Sequence, residues 1–140
     1  MEAGRALAEG NSRQRGRPMT GEKEAVMEYV ALTRLIEKMK LVNLTSELEV
    51  KGIRIRQPDI NRPALQMAGY LKHFESTRLQ VVGFVEHSYF DDLPEERKKE
   101  VCDELMSYDV PAFVFCRELQ PDPIFMEEAI VHKIPILSTK

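Results

Sequence analysis

Tryptophan is absent from this 140-residue chain and aromatic residues make up only 7% of it. Platforms on which nucleic-acid bases stack are therefore not expected. A basic excess is also missing: 20 Lys and Arg stand against 23 Asp and Glu, a formal net charge of −3. That balance argues against a nucleic-acid partner, because phosphate backbones are gripped by surplus cations. Apolar runs are short, and none approaches the length of about 20 residues that a membrane span needs. The only cysteines, Cys102 and Cys116, form no Cys-x-x-Cys pair and are too few for a disulfide framework. They read as two reduced structural thiols, which fits a cytoplasmic protein. Present in ordinary amounts are hydrophobic residues, 43%, and charged residues, 31%, the make-up of a globular domain.

Residues 1–24 differ from the rest. They hold four of the 7 glycines together with Arg13, Arg15 and Arg17. They show no apolar periodicity and no secretory core, and read as a disordered leader. Residues 25–140 read as one domain. Ala31, Leu32, Leu35, Ile36 and Met39 recur at helical spacing. Leu41-Val42-Asn43-Leu44-Thr45 is a short strand candidate, and Ile53-Arg54-Ile55-Arg56 alternates as a half-exposed strand does. Asn61 is expected to cap a short helix carrying Pro63 in its first turn and ending at Gly69. Leu79-Gln80-Val81-Val82-Gly83 and Pro111-Ala112-Phe113-Val114-Phe115-Cys116 are apolar enough for strands buried on both faces. A charged helix over residues 93–106 lies between them, with Val101, Cys102, Leu105 and Met106 as its inner stripe. Asp122 and Pro123 start another helix, with Phe125, Met126, Ala129 and Ile130 inward. Ile134-Pro135-Ile136-Leu137 closes the chain as a strand that is an edge or begins at the proline. The strand–helix alternation predicts a small α/β domain, three-layer-like, with a mostly parallel sheet flanked by helices.

Few residues carry recognisable chemistry. Gly16 and Gly21 have the gap of a phosphate-binding loop, but Glu22 stands where its lysine belongs and no strand leads into it. His73, His87 and His132 do not share a helix face with one another. His87, beside Glu86 and near Asp91 and Asp92, reads as a surface turn rather than a metal site. His132-Lys133 reads as the cationic end of a helix. One stretch stands out: Asp59-Ile60-Asn61-Arg62-Pro63, followed by Gly69 and Tyr70. It admits two readings. It is a capped helix stiffened by an Arg62–Asp59 bridge, or Asn61 and Arg62 at a helix start hold an anion or a partner's carboxylate.

The same stretch resembles the N-terminal domain of the HPr kinase/phosphorylase family. That family carries Asp-Ile-x-Arg-Pro-Gly-Leu-x-x-Ala-Gly-Tyr, which Asp59, Ile60, Arg62, Pro63, Leu65, Ala68, Gly69 and Tyr70 match, with Ala64 in place of Gly. Arg78, Gln80 and Gly83 resemble its Arg-x-Gln-x-x-Gly strand, and Glu86, Ser88 and Tyr89 the segment after it. The likeness extends over residues 26–139. It implies a structural or regulatory domain standing before a catalytic domain that would begin after Lys140. The whole enzyme phosphorylates a serine of HPr, the phosphocarrier of the sugar phosphotransferase system, reverses the reaction with phosphate, acts in carbon-source regulation and forms a homo-oligomer. The P-loop, ATP and Mg belong to that second domain, so no cofactor, catalytic or metal residue is expected here and the chain alone is expected to be inactive. Asp59, Asn61, Arg62, Gly69 and Tyr70 are the expected ligand or interface residues. The alternative is a stand-alone ligand-sensing or oligomerisation module of a related regulatory family.

Overall fold

The computed structural model describes residues 29–117 and 119–139. The expected leader lies outside them. Seven strands and five helices are present among these residues: β1 Val30–Ala31, α1 Leu32–Met39, β2 Val42–Asn43, β3 Arg54–Ile55, β4 Ile60–Asn61, α2 Ala64–Met67, β5 Leu79–Val82, α3 Phe84–Asp91, α4 Glu95–Met106, β6 Phe113–Phe115, α5 Pro123–Val131 and β7 Ile136–Ser138. Five strands form one sheet in the order β2-β7-β6-β5-β4. The pairs β4–β5, β5–β6 and β6–β7 are parallel, and only β2 runs antiparallel, against β7. The expected α/β class with a mostly parallel sheet is what the chain adopts. A separate two-stranded antiparallel ribbon pairs β1 with β3.

Strand alternation divides the core into two layers. Phe113, Phe115, Val82 and Ile136 face α2–α5, where Met67, Phe90, Val101, Cys102, Leu105, Phe125 and Ala129 complete one cluster. Val114, Val81 and Leu137 face the other way, toward Leu32, Leu35 and Ile36 of α1 and Ile55 of the ribbon. Phe125 is central to the first cluster: its ring meets those of Phe90, Phe113 and Phe115 edge-on at 4.9–5.4 Å between centroids, the favourable arrangement for aromatic quadrupoles.

Three expectations are corrected. Asn61 does not cap a helix but pairs with Gln80 in β4, and Pro63 takes the cap position of α2. The segment around His87 is not a surface turn but helix α3. Ala31, the first residue of the expected helical pattern, instead pairs with β3 together with Val30. Of the two readings of the last strand the second holds: β7 lies between β6 and β2 and begins directly after Pro135, whose missing N–H therefore leaves no ladder bond unmade.

Candidate functional site

Strand β4 leads straight from Asn61 into Arg62, and β5 leads into Gly83 and the first turn of α3. The two exits are neighbours because β4 and β5 are paired in parallel. Arg62 Nη2 reaches 2.9 Å from Glu86 Oε1. The same oxygen accepts the Gly83 N–H at 2.9 Å, so Glu86 satisfies a free donor at the start of α3 while pairing with Arg62. A carboxylate does sit at a helix N-terminus here, but it belongs to this chain and to α3. Asp59 is exposed and takes no part; the expected Arg62–Asp59 bridge is replaced by Arg62–Glu86.

Gly83 makes room for this pair. A Cβ there would collide with Arg62 Nη2 and lie 3.2 Å from Glu86 Oε1. Glu86 is buried. Burial by itself would push its carboxyl up, but the Arg62 hydrogen bond, the backbone N–H groups of Glu86 and Gly83 and the Arg62 charge outweigh it, and the carboxyl is held below its ordinary 4.5. The hydrogen bond and charge of Glu86 in turn raise Arg62, which stays cationic.

Beside the ion pair runs a neutral network. Asn61 Nδ2 donates to Gln80 Oε1 at 2.7 Å and to Gln66 Oε1 at 3.3 Å. Gln80, fully buried, donates its two amide hydrogens to the carbonyls of Glu75 and Arg78 at 3.0 and 2.9 Å. Its polar atoms are thus partnered, as burial demands, and Asn61 is tied through Gln80 to the loop entering β5. Gly69 ends α2 with φ +105°, a left-handed conformation that favours glycine. The space beside it holds Arg97 Nη2, 3.5 Å from where a Cβ would stand. Tyr70 follows, half exposed.

The structure therefore joins Asn61 and Arg62 to Gln66, Gln80, Gly83 and Glu86, sets Gly69 beside Arg97 of α4, and leaves Asp59 apart and Tyr70 half exposed. Gln80, Gly83 and Glu86 were visible as motif residues, but not Gln80 as the partner of Asn61 nor Glu86 as the partner of Arg62 and Gly83. Around the satisfied charges lies apolar surface: Phe84 is 73% exposed, Val85 64% and Leu65 63%. Phe84 and Val85 open α3, and Leu65 is on α2, which packs against α3. Within the cluster, Glu86 and Gln80 are buried with their polar atoms partnered, while the Arg62 side chain stays half exposed.

A second cluster lies across the ends of α4 and α5. His132 Nε2 is 3.7 Å from Asp103 Oδ1 and 3.8 Å from Glu128 Oε1. The Glu128–His132 spacing of four puts both on one helix face, a pairing that comparing histidines only with one another misses. The three candidate ligand atoms lie within 4.8 Å of one another, and Asp103 is exposed.

These features define a small α/β domain whose sequence motifs build an internally satisfied cluster at the carboxyl ends of β4 and β5. A family model described as "HPr Serine kinase N terminus" matches residues 30–140. The chain belongs to the HPr kinase/phosphorylase family and corresponds to its N-terminal domain. It is 41% identical over 114 residues to the HPr kinase/phosphorylase of Lachnoclostridium phytofermentans and 34% identical over 114 residues to that of Caldanaerobacter subterraneus. Each match covers 81% of this chain and 37% of the relative, so the chain spans little more than a third of these relatives' length. The CBS and DRTGG domains of the regulatory region of Clostridium perfringens pyrophosphatase, solved with diadenosine tetraphosphate, align at TM-score 0.48 and 15% identity, covering 78% of this chain and 40% of that one. A likeness so distant carries no argument about function.

Proposed function

We propose that this chain is a structural and regulatory domain of a bifunctional HPr kinase/phosphorylase and does no chemistry by itself. The observation that carries this reading is the match of residues 30–140 to the N terminus of a family whose members are far longer. The sequence adds that no Gly-x-x-x-x-Gly-Lys-Ser/Thr stands anywhere in the 140 residues, so the backbone cradle that loop would provide for nucleotide phosphates is missing. ATP, Mg and HPr would meet the catalytic domain. The apolar face of Leu65, Phe84 and Val85 would dock on that domain, within a homo-oligomer acting in the cytoplasm on carbon-source control. Among the described residues no helix is long and apolar enough to cross a membrane.

Incubation of the chain with ATP, Mg and HPr tests the first half: no phosphoserine is expected, and calorimetric binding of ATP at micromolar strength would overturn the reading. For the second half, the chain is mixed with the part of the Lachnoclostridium relative that lies beyond the matched segment. A complex is expected on sedimentation, and separate boundaries at all concentrations would rule the docking out. The exposed apolar face also favours a second reading, an oligomerisation module; a stable oligomer formed by this chain alone and lost in Phe84→Ser would select it.

A further inference from the structure

The two ends of the parallel strands differ in chemistry. At the carboxyl ends, Arg62 and Glu86 neutralise each other. The amino ends border a groove of about 470 Å3. Its walls come from four separate segments: Arg54 and Arg56 at β3, Thr77 ahead of β5, Asp109 ahead of β6, and Lys133 between α5 and β7. Three cations thus line it with a single carboxylate, in a chain with a net charge of −3. Among the described residues, none of the three cations lies within ion-pair distance of a carboxylate.

Two details show how these charges are held. Arg54 and Arg56 are two residues apart at a strand, which sends them to the same side. Both guanidinium groups lie over the Tyr29 ring, at 4.6 and 5.6 Å from its centroid. The ring's negative face offsets part of their mutual repulsion, and an anion between them would remove more. Lys133 occupies a left-handed conformation, φ +61°, just past the end of α5. Glycine or asparagine is the usual residue there, yet here the position bears a cation that lines the groove.

We propose that this groove binds a small phosphorylated compound. Arg54, Arg56 and Lys133 hold the phosphate, and Asp109 accepts a hydrogen bond from a hydroxyl or amino group on the remainder. Two guanidinium forks and an ammonium match a tetrahedral dianion, whose acceptor oxygens project from one centre, better than planar carboxylates, even two that carry the same charge. The volume lies in the range of small-molecule sites, with room for more than the phosphate. Such a ligand bridges the β1–β3 ribbon and the main sheet, at the end of the molecule opposite the Arg62 cluster.

The full 140-residue chain is titrated with glycerol phosphate, inorganic phosphate and malonate while amide resonances are followed. Saturable shifts are expected at Gly52, Thr77 and Lys133, with glycerol phosphate binding more tightly than phosphate and malonate weakest. Arg54→Gln and Arg56→Gln should each weaken glycerol phosphate by about tenfold or more, while Arg34→Gln, on exposed α1 surface, should change it by less than about twofold. Lys133→Gly relaxes the backbone and removes the charge, so its melting temperature should hold or rise while binding falls. Absence of saturation, malonate binding as tightly as glycerol phosphate, an equal loss in Arg34→Gln, or full binding by Lys133→Gly would each overturn the proposal.

Discussion

Gly83 has ordinary extended backbone angles, φ −96° and ψ −169°, so its missing side chain answers to space rather than to conformation. Gly83→Ala should push the mobile end of Arg62 off Glu86 and lower stability by about 1–3 kcal/mol, the cost of leaving a buried carboxylate without its partner. Chemical denaturation reads this directly. Combined with Arg62→Ala, the loss should fall short of the sum, because both changes remove the same contact. Glu86 carries a pH signature. Its carboxyl is lower in the folded chain than its ordinary 4.5, so the stability it contributes is complete above that value and is lost as pH falls through the folded-state value. Glu86→Gln should therefore be less stable than wild type near neutral pH, by about 1–3 kcal/mol, with the gap closing below about pH 4.5. Wild type and variant losing stability in parallel on acidification would contradict this. The two thiols should also separate. Burial pushes Cys102 up to about 12, with Glu128, Asp103 and Asp122 adding to it, whereas Cys116 is only half-buried. An exposure-dependent thiol reagent at mildly alkaline pH should modify Cys116 in the native state and Cys102 only on unfolding.

Among the elements, α4 and α5 are clamped at one end by Asp122. Its Oδ1 accepts the Ile124 N–H at 2.8 Å as the helix cap, and its Oδ2 accepts Lys98 Nζ at 2.7 Å. Asp122→Ala removes both and should lower stability by about 2 kcal/mol, more than a cap alone; Lys98→Met, which keeps the cap, should lose less. The cap and the proline after it were legible in the sequence because capping is local. So were β5 and β6, whose continuous apolar runs follow from burial on both faces, and the inner stripe of α4. Helix α3 was not. Its buried residues are Glu86 and Phe90, while Phe84 and Val85, the apolar residues that open it, face solvent. The spacing of four is helical, but one member is a charge, and hydrophobic periodicity cannot register a buried carboxylate. The partner of Arg62 was hidden for a related reason. Glu86 lies 24 residues onward, and only the parallel pairing of β4 with β5 brings the two together, whereas Asp59 was merely near in sequence. Ala31 fitted a helical pattern until its pairing with β3 overrode it.

For the whole molecule, the exposed Phe84 and Val85 should matter to assembly and not to folding. Phe84→Ser with Val85→Ser should leave the melting temperature within about 5 °C of wild type, since exposed changes each move stability by about 0.5 kcal/mol or less, while weakening the proposed docking on a catalytic domain. Loss of stability without loss of association would place those residues in the core instead. The order of the main sheet has a further bearing, on how the protein is made. Strand β2, early in the chain, pairs with β7, and the buried Thr45 hydroxyl accepts the Ile136 N–H from 91 residues away. During synthesis the segment carrying β2 leaves the ribosome long before its partner exists, and one side of β6 stays bare for the same interval. Pairing of β6 and β2 with β7 is thus postponed until Ile136–Ser138 has emerged, and a nascent chain stalled ahead of Ile136 exposes an open strand edge for chaperones or aggregation to find.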